Sequence, residues 1–328
     1  MVRVGETILV TGGVGYLGWH VCNELINRGY KVKVLDNLLY DFKPDERYEF
    51  IKGDIRNRSD VNKALRGVSA VVHLAALSND PLCDVSPEHG IETNYNGTKL
   101  VAELAKQNGI KRFIYMSTCS VYGKTDEEYV DENSKVRPLS LYAMTKYASE
   151  QYLRSLCEKD FDVCILRSST MYGYSKYMRF DLIVNIIAVE AVVDKQIKLF
   201  GGDQWRPLVH VRDVANAVVS SVEREEPFGA VPINIGSDNQ NYNVAELTYK
   251  IQKNLYPEIP IKEFPENKDF RSYKVIFKRA RELLNFRPCF DVIYGSKEVA
   301  DAIRRGEFAN PRATQYLRVK HLLAKGIK

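Results

Sequence analysis

The stretch Thr11-Gly12-Gly13-Val14-Gly15-Tyr16-Leu17-Gly18 decides the fold of this chain. It follows the apolar run 8–10 and opens an amphipathic segment that continues to Arg28. A strand that turns through closely spaced glycines into a helix presents backbone N–H groups and the positive helix end to a pyrophosphate. The pattern therefore predicts a dinucleotide site. Its candidate contacts in this stretch are Gly12, Gly15, Tyr16 and Leu17.

A second apolar run, residues 32–35, ends in Asp36, eighteen residues beyond Gly18. An acidic side chain at this point accepts hydrogen bonds from the hydroxyls of the adenosine ribose and repels a 2′-phosphate. We therefore predict NAD rather than NADP as the cofactor, with Asp36 and Asn37 at its adenosine end.

Apolar runs and helical patterns alternate over the first half of the chain. Strands are predicted at 6–11, 31–36, 48–52, 69–75, 112–117 and 162–167. Helices are predicted at 16–28, 59–66 (capped by Ser59), 91–108 and 141–158, with Gly29 and Gly109 ending the first and third. This alternation predicts a doubly wound, Rossmann-type parallel α/β sheet. We expect an NAD-binding domain over 1–172, rejoined by part of 205–236, and a smaller substrate-binding lobe with a basic tail over 173–328.

The helix predicted at 141–158 carries the candidate catalytic pair. Tyr142 and Lys146 are four residues apart, so they share one helical face. A lysine ammonium and an oxidised nicotinamide nearby favour the tyrosine phenolate and lower its pKa. The phenolate can then take a proton from a substrate hydroxyl while hydride leaves the same carbon for NAD.

The fifth predicted strand ends in Ser117 and Thr118, followed by Cys119 and Ser120. Small hydroxyl side chains at the carboxyl end of a strand lie where open α/β sheets bind their ligands. We therefore place Ser117 and Thr118 beside the Tyr142–Lys146 pair.

Charge and cysteine content limit the function classes. The net charge of +5 comes from the segment 304–328, where seven Lys and Arg residues accompany one acidic residue, Glu307. We expect that tail to form a solvated helix, and we expect no nucleic-acid partner. The six cysteines lack disulfide or zinc spacing, so reduced thiols and no metal site are expected. With neither a secretory signal nor a membrane span expected, we predict a cytoplasmic protein.

Together these segments resemble the extended short-chain dehydrogenase/reductases of the nucleotide-sugar epimerase/dehydratase family. The resemblance covers nearly the whole chain. Its matching segments are TGGVGYLG (11–18), Asp36, GDI (53–55), HLAA (73–76), NYNGT (94–98), STCSVYG (117–123), YAMTK (142–146) and VHVRDVANA (209–217). It implies a nucleotide-diphosphate sugar as the substrate.

The resemblance also assigns roles to individual residues. It implies cofactor contacts by Asp54, Ile55, Leu74, Ala75 and Ala76, support of Lys146 by Asn94, and a hydrogen bond from Thr118 to the hydroxyl that is oxidised. It implies substrate contacts by Phe200, Arg206, Arg271 and Asn185. The further candidates in the substrate pocket are Ser78, Cys119, Ser120 and Thr170. Two arginines on one diphosphate are chemically reasonable, because charge-assisted bidentate hydrogen bonds suit phosphate oxygens.

Departures from the family pattern separate the possible reactions. Cys119 and Ser120 stand where 4,6-dehydratases carry Asp-Glu, and neither is a good general acid or base at its ordinary pKa. Dehydration is therefore disfavoured. We predict oxidation at the sugar C4, with a 4-epimerase as the first hypothesis. In the alternative, a 4-dehydrogenase or ketoreductase, the 4-keto sugar is released.

A non-catalytic, NAD-sensing scaffold is a hypothesis of another class. It is disfavoured because such relatives typically lose the catalytic tyrosine or lysine, which this chain retains. The resemblance further implies a homodimer, in which the helices 91–108 and 141–158 form a four-helix bundle with their symmetry mates. Val101, Leu104, Tyr147 and Leu153 are candidates for that interface or for the internal core.

Overall fold

The structure is a computed structural model that describes residues 2–265 and 271–327. Its strands are β1 (Thr7–Thr11), β2 (Lys31–Asp36), β3 (Glu49–Lys52), β4 (Ala70–His73), β5 (Arg112–Thr118), β6 (Asp162–Ser168), β7 (Thr170–Tyr172), β8 (Ile197–Phe200), β9 (Trp205–His210), β10 (Pro232–Ile235), β11 (Asn241–Asn243) and β12 (Ile261–Phe264). Its α-helices are α1 (Tyr16–Asn27), α2 (Arg58–Leu65), α3 (Asp80–Val85), α4 (Pro87–Ile91), α5 (Thr98–Gln107), α6 (Leu141–Leu156), α7 (Ile183–Val189), α8 (Val211–Glu223), α9 (Val244–Leu255), α10 (Lys278–Leu284), α11 (Val292–Arg304) and α12 (Arg318–Ala324). Two π-helical segments, Glu92–Gly97 and Glu190–Asp194, precede α5 and follow α7.

Seven parallel strands form the main sheet, in the order β10-β6-β5-β4-β1-β2-β3. The chain runs outward from β1 to β3 and then crosses back to place β4 on the other side of β1. Strand order therefore reverses between β1 and β4, and a crevice opens there at the carboxyl ends of the strands. The predicted Rossmann-type sheet is confirmed. Its seventh strand, β10, comes from the region 205–236.

Both faces of the main sheet are covered. In β1, Ile8 and Val10 belong to one apolar cluster while Leu9 belongs to another, and all three are fully buried. Such alternation between two clusters follows from the two-residue period of a strand. The near-continuous apolar runs in the sequence are the result of this double burial.

Two smaller sheets lie beyond the main one. One has the order β11-β9-β7, and the other pairs β12 with β8. Because β7 follows β6 after a single residue, the second region of the chain starts directly at the carboxyl edge of the main sheet.

The helix boundaries agree with the local chemistry of the sequence, with one correction. α1 ends just before Gly29 and α5 ends before Gly109, and both glycines have positive φ angles, +83° and +73°. The cap of α2 is not Ser59 as predicted. It is Asn57, whose Oδ1 accepts the backbone N–H of Ser59 at 2.8 Å and of Asp60 at 3.2 Å. An Asx side chain two residues earlier satisfies both free donors.

The basic tail also differs from its prediction. It contains a helix, α12, but that helix is not solvated: Arg318, His321 and Leu322 are 2%, 5% and 0% exposed. Leu322 packs in a cluster with Leu77 and Leu82, which explains why the helix is docked. Lys328 lies outside the described residues. No helix in the described part of the chain is long and apolar enough to cross a bilayer.

Candidate active site

One cavity of about 580 Å³ follows the carboxyl edge of the main sheet. Most of the residues predicted for the site lie along its wall. On the cofactor side these are Gly12, Gly15, Tyr16, Leu17, Asp36, Asn37, Asp54, Ile55, Leu74, Ala75, Ala76, Ser117, Thr118, Tyr142 and Lys146. On the substrate side they are Ser78, Ser120, Thr170, Phe200, Arg206 and Arg271.

The glycine turn fits a bound pyrophosphate. Gly12 has φ +74°, and a Cβ there would lie 2.7 Å from the backbone nitrogen of Ala75. A Cβ on Gly18 would lie 2.3 Å from the carbonyl oxygen of Gly12. Gly15 precedes α1, and no side chain caps the first N–H groups of that helix. These groups are therefore free to donate to an anion at the positive end of the helix.

Asp36 lies at the end of β2 beside this turn. Its two carboxylate oxygens accept the backbone N–H groups of Val14, at 3.0 Å, and Leu38, at 2.8 Å. Each oxygen keeps a second lone pair for a ribose hydroxyl. Burial raises the pKa of Asp36, and the two N–H groups oppose that rise.

Thr118, Tyr142 and Lys146 meet where β5 ends and α6 begins. Ser140 caps α6 by accepting the N–H of Ala143 at 3.2 Å, so the helix starts just ahead of Tyr142. The Thr118 side chain is close enough to the Tyr142 hydroxyl to lower its pKa. The Lys146 ammonium lies 4.2 Å from the ring centroid of Tyr115, which gives a cation–π contact.

Burial dominates the ionisation of this pair in the protein alone. It raises the pKa of Tyr142 well above its usual value, the nearby Asp80 charge adds to that rise, and the Thr118 side chain opposes it. Burial also lowers the pKa of Lys146 to about 7. In the protein alone the tyrosine pKa is therefore not lowered. The prediction concerns the lysine together with an oxidised nicotinamide, whose positive charge favours the phenolate.

A buried ion pair supports β5 from behind. Glu150 in α6 accepts hydrogen bonds from Arg167 in β6, at 2.7 Å, and from the Ser117 hydroxyl, at 2.5 Å. Arg167 and Glu150 are both almost fully buried. The Ser117 hydroxyl therefore holds β5 against α6, although the residue also lines the cavity.

The substrate end of the cavity contains two arginines. Arg206 donates to the carbonyl oxygens of Trp205, at 2.7 Å, and Arg271, at 2.5 Å. The guanidinium of Arg271 contacts Asp80 at 2.5 Å and the Ser120 hydroxyl at 3.2 Å. Phe200, about half exposed, stacks on Phe264 with ring centroids 4.7 Å apart.

Three predicted site residues do not reach the cavity wall. Asn94 is fully buried in the π-helical segment, where it bonds the backbone of Leu77. Cys119 is 1% exposed and its thiol donates to the carbonyl of Arg167 at 3.2 Å. Asn185 is fully buried and its amide joins Tyr16 to Gly173. The structure thus places these three as supports behind the wall.

Sequence reasoning missed six charged residues that line the cavity, which are Asp80, Arg179, Asp181, Glu190, Lys198 and Arg318. Arg179 bonds Ser78 at 2.9 Å and pairs with Asp181 at 3.0 Å. No spacing in the sequence connects these residues to the turn at 11–18. A surplus of basic residues in the tail was the one available signal for Arg318.

Within the described ranges, no group of three or more His, Cys, Asp or Glu side chains is placed to hold a metal ion. The donors that converge on the cavity are hydroxyl, ammonium, guanidinium and backbone N–H groups. A dinucleotide turn that opens into the same cavity as a Tyr–Lys pair is the arrangement of a nicotinamide-dependent enzyme.

Comparison with known proteins shows which family of nicotinamide-dependent enzymes the chain belongs to. The chain belongs to the NAD-dependent epimerase/dehydratase family, whose sequence model matches residues 8–236. Its cofactor is accordingly NAD.

Relatives and solved structures match over most of the chain. UDP-glucose 4-epimerase of Rhizobium leguminosarum bv. trifolii is 30% identical over 320 residues, which cover 88% of this chain and 94% of that protein. UDP-glucose 4-epimerase of Thermotoga maritima, solved with UDP-glucose, has a TM-score of 0.80 and 28% identity, covering 91% of this chain and 99% of that one. MoeE5 in complex with UDP-glucose and NAD has a TM-score of 0.81 and 26% identity, covering 92% and 99%.

Proposed function

We propose that the protein is an NAD-dependent 4-epimerase of a nucleoside-diphosphate sugar. The observation that carries the proposal is the shared cavity, in which Thr118, Tyr142 and Lys146 lie between the glycine turn and Arg271. Relatives that match along nearly the full chain are UDP-glucose 4-epimerases, which supports a UDP sugar as substrate.

The chain's own residues supply the acid–base chemistry. Bound NAD supplies a hydride acceptor that can return the hydride to the same carbon. Tyr142 takes the proton of the substrate 4-hydroxyl and returns it to the same oxygen when the ketone, turned over in the pocket, is reduced at C4 from its other face. Thr118 hydrogen-bonds the same substrate hydroxyl and so orients it. Lys146 holds the nicotinamide ribose and stabilises the phenolate.

The surroundings of Thr118 support redox chemistry without loss of water. Elimination needs a base for C5 and an acid for the departing hydroxyl. Burial raises the pKa of the Cys119 thiol, which donates to a backbone carbonyl, while Ser120 contacts Arg271. Neither residue is suited to those tasks, so 4,6-dehydration remains disfavoured.

We place the nucleotide-diphosphate end of the substrate beside Arg206 and Arg271, with Phe200 against the base. Ser78, Ser120 and Thr170 would then surround the sugar. Because Asp80 pairs with Arg271, a diphosphate that binds this arginine has to compete with a carboxylate.

The test is a product analysis. The NAD-loaded protein is incubated with UDP-, GDP-, dTDP- and CDP-sugars, and the products are followed by NMR. We expect one of these sugars to be converted to its C4 epimer without net oxidation. The same equilibrium ratio of the two epimers should be reached from either epimer as the starting material. Accumulation of a 4-keto sugar with bound NADH would identify the alternative 4-dehydrogenase, which uses the same residues but releases its ketone.

We also propose that residues 173–328 hold most of the sugar-nucleotide contacts and that the enzyme acts in the cytoplasm.

We further propose that the enzyme is a homodimer, in which α5 and α6 form the interface. Val101, Leu104 and Leu153 are buried in the internal core, so a bundle would have to use other side chains. Tyr152 and the half-exposed Met144 of α6 are better placed for this. Light scattering on a gel-filtration column measures the mass of the particle, and a monomeric mass would contradict the dimer.

A further inference from the structure

The C-terminal helix α12 lies over the cofactor side of the cavity. His321 bonds the carbonyl oxygen of Leu39 at 2.9 Å, and Lys325 pairs with Asp41 at 2.7 Å. Leu322 packs with Leu77 and Leu82 on the other side. The helix is therefore attached both to the loop after β2 and to the segment after β4.

Sheet order shows what lies beneath that helix. β2 and β4 are the two neighbours of β1, so the loops that follow them flank the loop that follows β1. That middle loop is the glycine turn, where the N-terminus of α1 has uncapped N–H groups. A helix fastened to both flanking loops spans the position of a pyrophosphate.

Arg318, the first residue of α12, lines the same cavity as the glycine turn. It is 2% exposed and stacks on the ring of Tyr40 with 3.6 Å between guanidinium carbon and ring centroid. The charged groups that act on its pKa are those of Arg179, Asp181 and Asp36. Tyr40 belongs to the loop after β2, and Arg179 bonds Ser78 in the segment after β4. We therefore place Arg318 between these two flanking loops.

The charge of Arg318 is poorly balanced within the described residues. Its guanidinium donates to the carbonyl oxygen of Gln315 at 3.2 Å and forms no ion pair in residues 2–265 and 271–327. By contrast, Arg179 and Arg271 pair with Asp181 and Asp80. Burial lowers the pKa of Arg318 to about 10, so it remains protonated at neutral pH. A buried cation that makes no direct ion pair is costly, and an anionic ligand would offset that cost.

We propose that Arg318 binds the pyrophosphate of NAD and that α12 thereby retains the cofactor. The pyrophosphate is the anionic part of NAD, and a guanidinium fork suits phosphate oxygens better than an ammonium does. The basic tail is then part of the cofactor site. The inference rests on the NAD cofactor and is independent of which sugar the enzyme takes.

Binding measurements on Arg318→Gln test the proposal. NAD, ADP-ribose and adenosine are titrated into NAD-free protein by calorimetry. Removal of charge-assisted hydrogen bonds of this kind in Arg318→Gln should lower the affinity for NAD and for ADP-ribose by about ten- to a hundredfold. Adenosine, which has no phosphate, should change by less than about twofold. Arg318→Lys should recover part of the loss.

The matched control is Lys320→Gln, which removes the same charge from an exposed position of the same helix. It should bind NAD like the wild type. Two results would overturn the proposal: NAD affinity unchanged in Arg318→Gln, or equal losses for ADP-ribose and adenosine.

A measurement on the wild type covers the case in which Arg318→Gln does not fold. Hydrogen exchange of the backbone amides in 318–324 is followed with and without ligand. We expect ADP-ribose to slow this exchange and adenosine to leave it unchanged. Exchange that is insensitive to ADP-ribose would contradict the inference without bearing on the epimerase proposal.

Discussion

At the scale of single residues, burial controls the ionisation of the two candidate catalytic side chains, Tyr142 and Lys146. Tyr142 is kept protonated in the protein alone, and Lys146 has a pKa near neutrality. The positive charge of an oxidised nicotinamide favours the Tyr142 phenolate, and that phenolate in turn favours the Lys146 ammonium. This coupling of cofactor and acid–base residue avoids a free phenolate in the resting protein.

Replacing Tyr142 by Phe removes the proton acceptor but leaves the cofactor turn untouched. We expect kcat to fall by about a hundred- to ten-thousandfold, the usual contribution of a positioned acid–base group. NAD should remain bound at the wild-type stoichiometry. Product formation by NMR and the NAD content of the purified protein provide the two measurements. Tyr147→Phe, five residues along α6, is the control and should stay fully active. Wild-type activity in Tyr142→Phe would contradict the mechanism.

His73, at the end of β4, gives a pH-dependent stability. Its Nδ1 is 2.8 Å from the Thr11 hydroxyl and its Nε2 is 3.0 Å from that of Thr98, which itself donates to the Asn94 carbonyl. This network suits the neutral ring with its proton on Nε2. Burial lowers the pKa of His73 from 6.5 to about 3.

The direction of the effect follows from proton binding. Between pH 3 and 6.5 the unfolded chain binds a proton at this position and the folded chain does not, so stability falls as the pH falls through that window. We expect His73→Gln to reduce the slope by up to about 1.4 kcal/mol per pH unit. Urea denaturation at a series of pH values measures this slope, and equal slopes in both proteins would contradict the assignment.

At the scale of elements, the segments behind the cavity hold its wall in place. The π-helical segment Glu92–Gly97 contains Asn94, whose amide binds both backbone groups of Leu77, at 2.8 Å and 3.1 Å. It also contacts Thr145 in α6. One side chain thus connects the loop after β4 to the helix that carries Tyr142 and Lys146.

Asn94→Ala should lower both the free energy of unfolding and the affinity for NAD. Two buried backbone groups of Leu77 lose their partner, which costs about 1–3 kcal/mol of unfolding free energy for each group left unsatisfied. NAD affinity should fall as well, because Leu74, Ala75 and Ala76 belong to the same loop. Denaturant titration and NAD calorimetry give the two values. Asn96→Ala, at an exposed hydrogen bond in the same segment, is the control and should change neither.

Local patterns in the sequence predict the elements well. The six predicted strands and four predicted helices all occur, because strand period, glycine stops and the turn at 11–18 are local features. The same is true of Tyr142 and Lys146, which are one helical turn apart. The cap of α2 is the exception at this scale, since Asn57 and Ser59 are both good caps and tertiary packing decided between them.

At the scale of the whole molecule, the cavity is closed by residues from distant parts of the chain. Asp80 meets Arg271 across 191 residues, and His321 meets Leu39 across 282. Such contacts depend on the packing of α12 and of the second region, and no spacing in the sequence encodes them. This is why Asp80, Arg179 and Arg318 could not be predicted, and why Asn185 was placed at the wall rather than behind it.

The Asp80–Arg271 pair provides a test at this scale. A diphosphate has to displace the Asp80 carboxylate, and the two anions repel each other. We therefore expect Asp80→Asn to bind UDP about tenfold more tightly, a difference of about 1.4 kcal/mol. Asp84→Asn, an exposed position of α3, is the control and should bind UDP like the wild type. Weaker binding by Asp80→Asn in calorimetry would show that the pair positions Arg271 for its ligand.

The central claim is that the sugar is oxidised and reduced at C4 on one cofactor. It is tested most directly with a UDP sugar that carries deuterium at C4, incubated with NAD-loaded enzyme and followed by NMR. The account predicts a C4 epimer that retains the deuterium at C4, with no NADH released. An epimer with solvent hydrogen at C4, or a free 4-keto sugar left beside deuterated NADH, would contradict it.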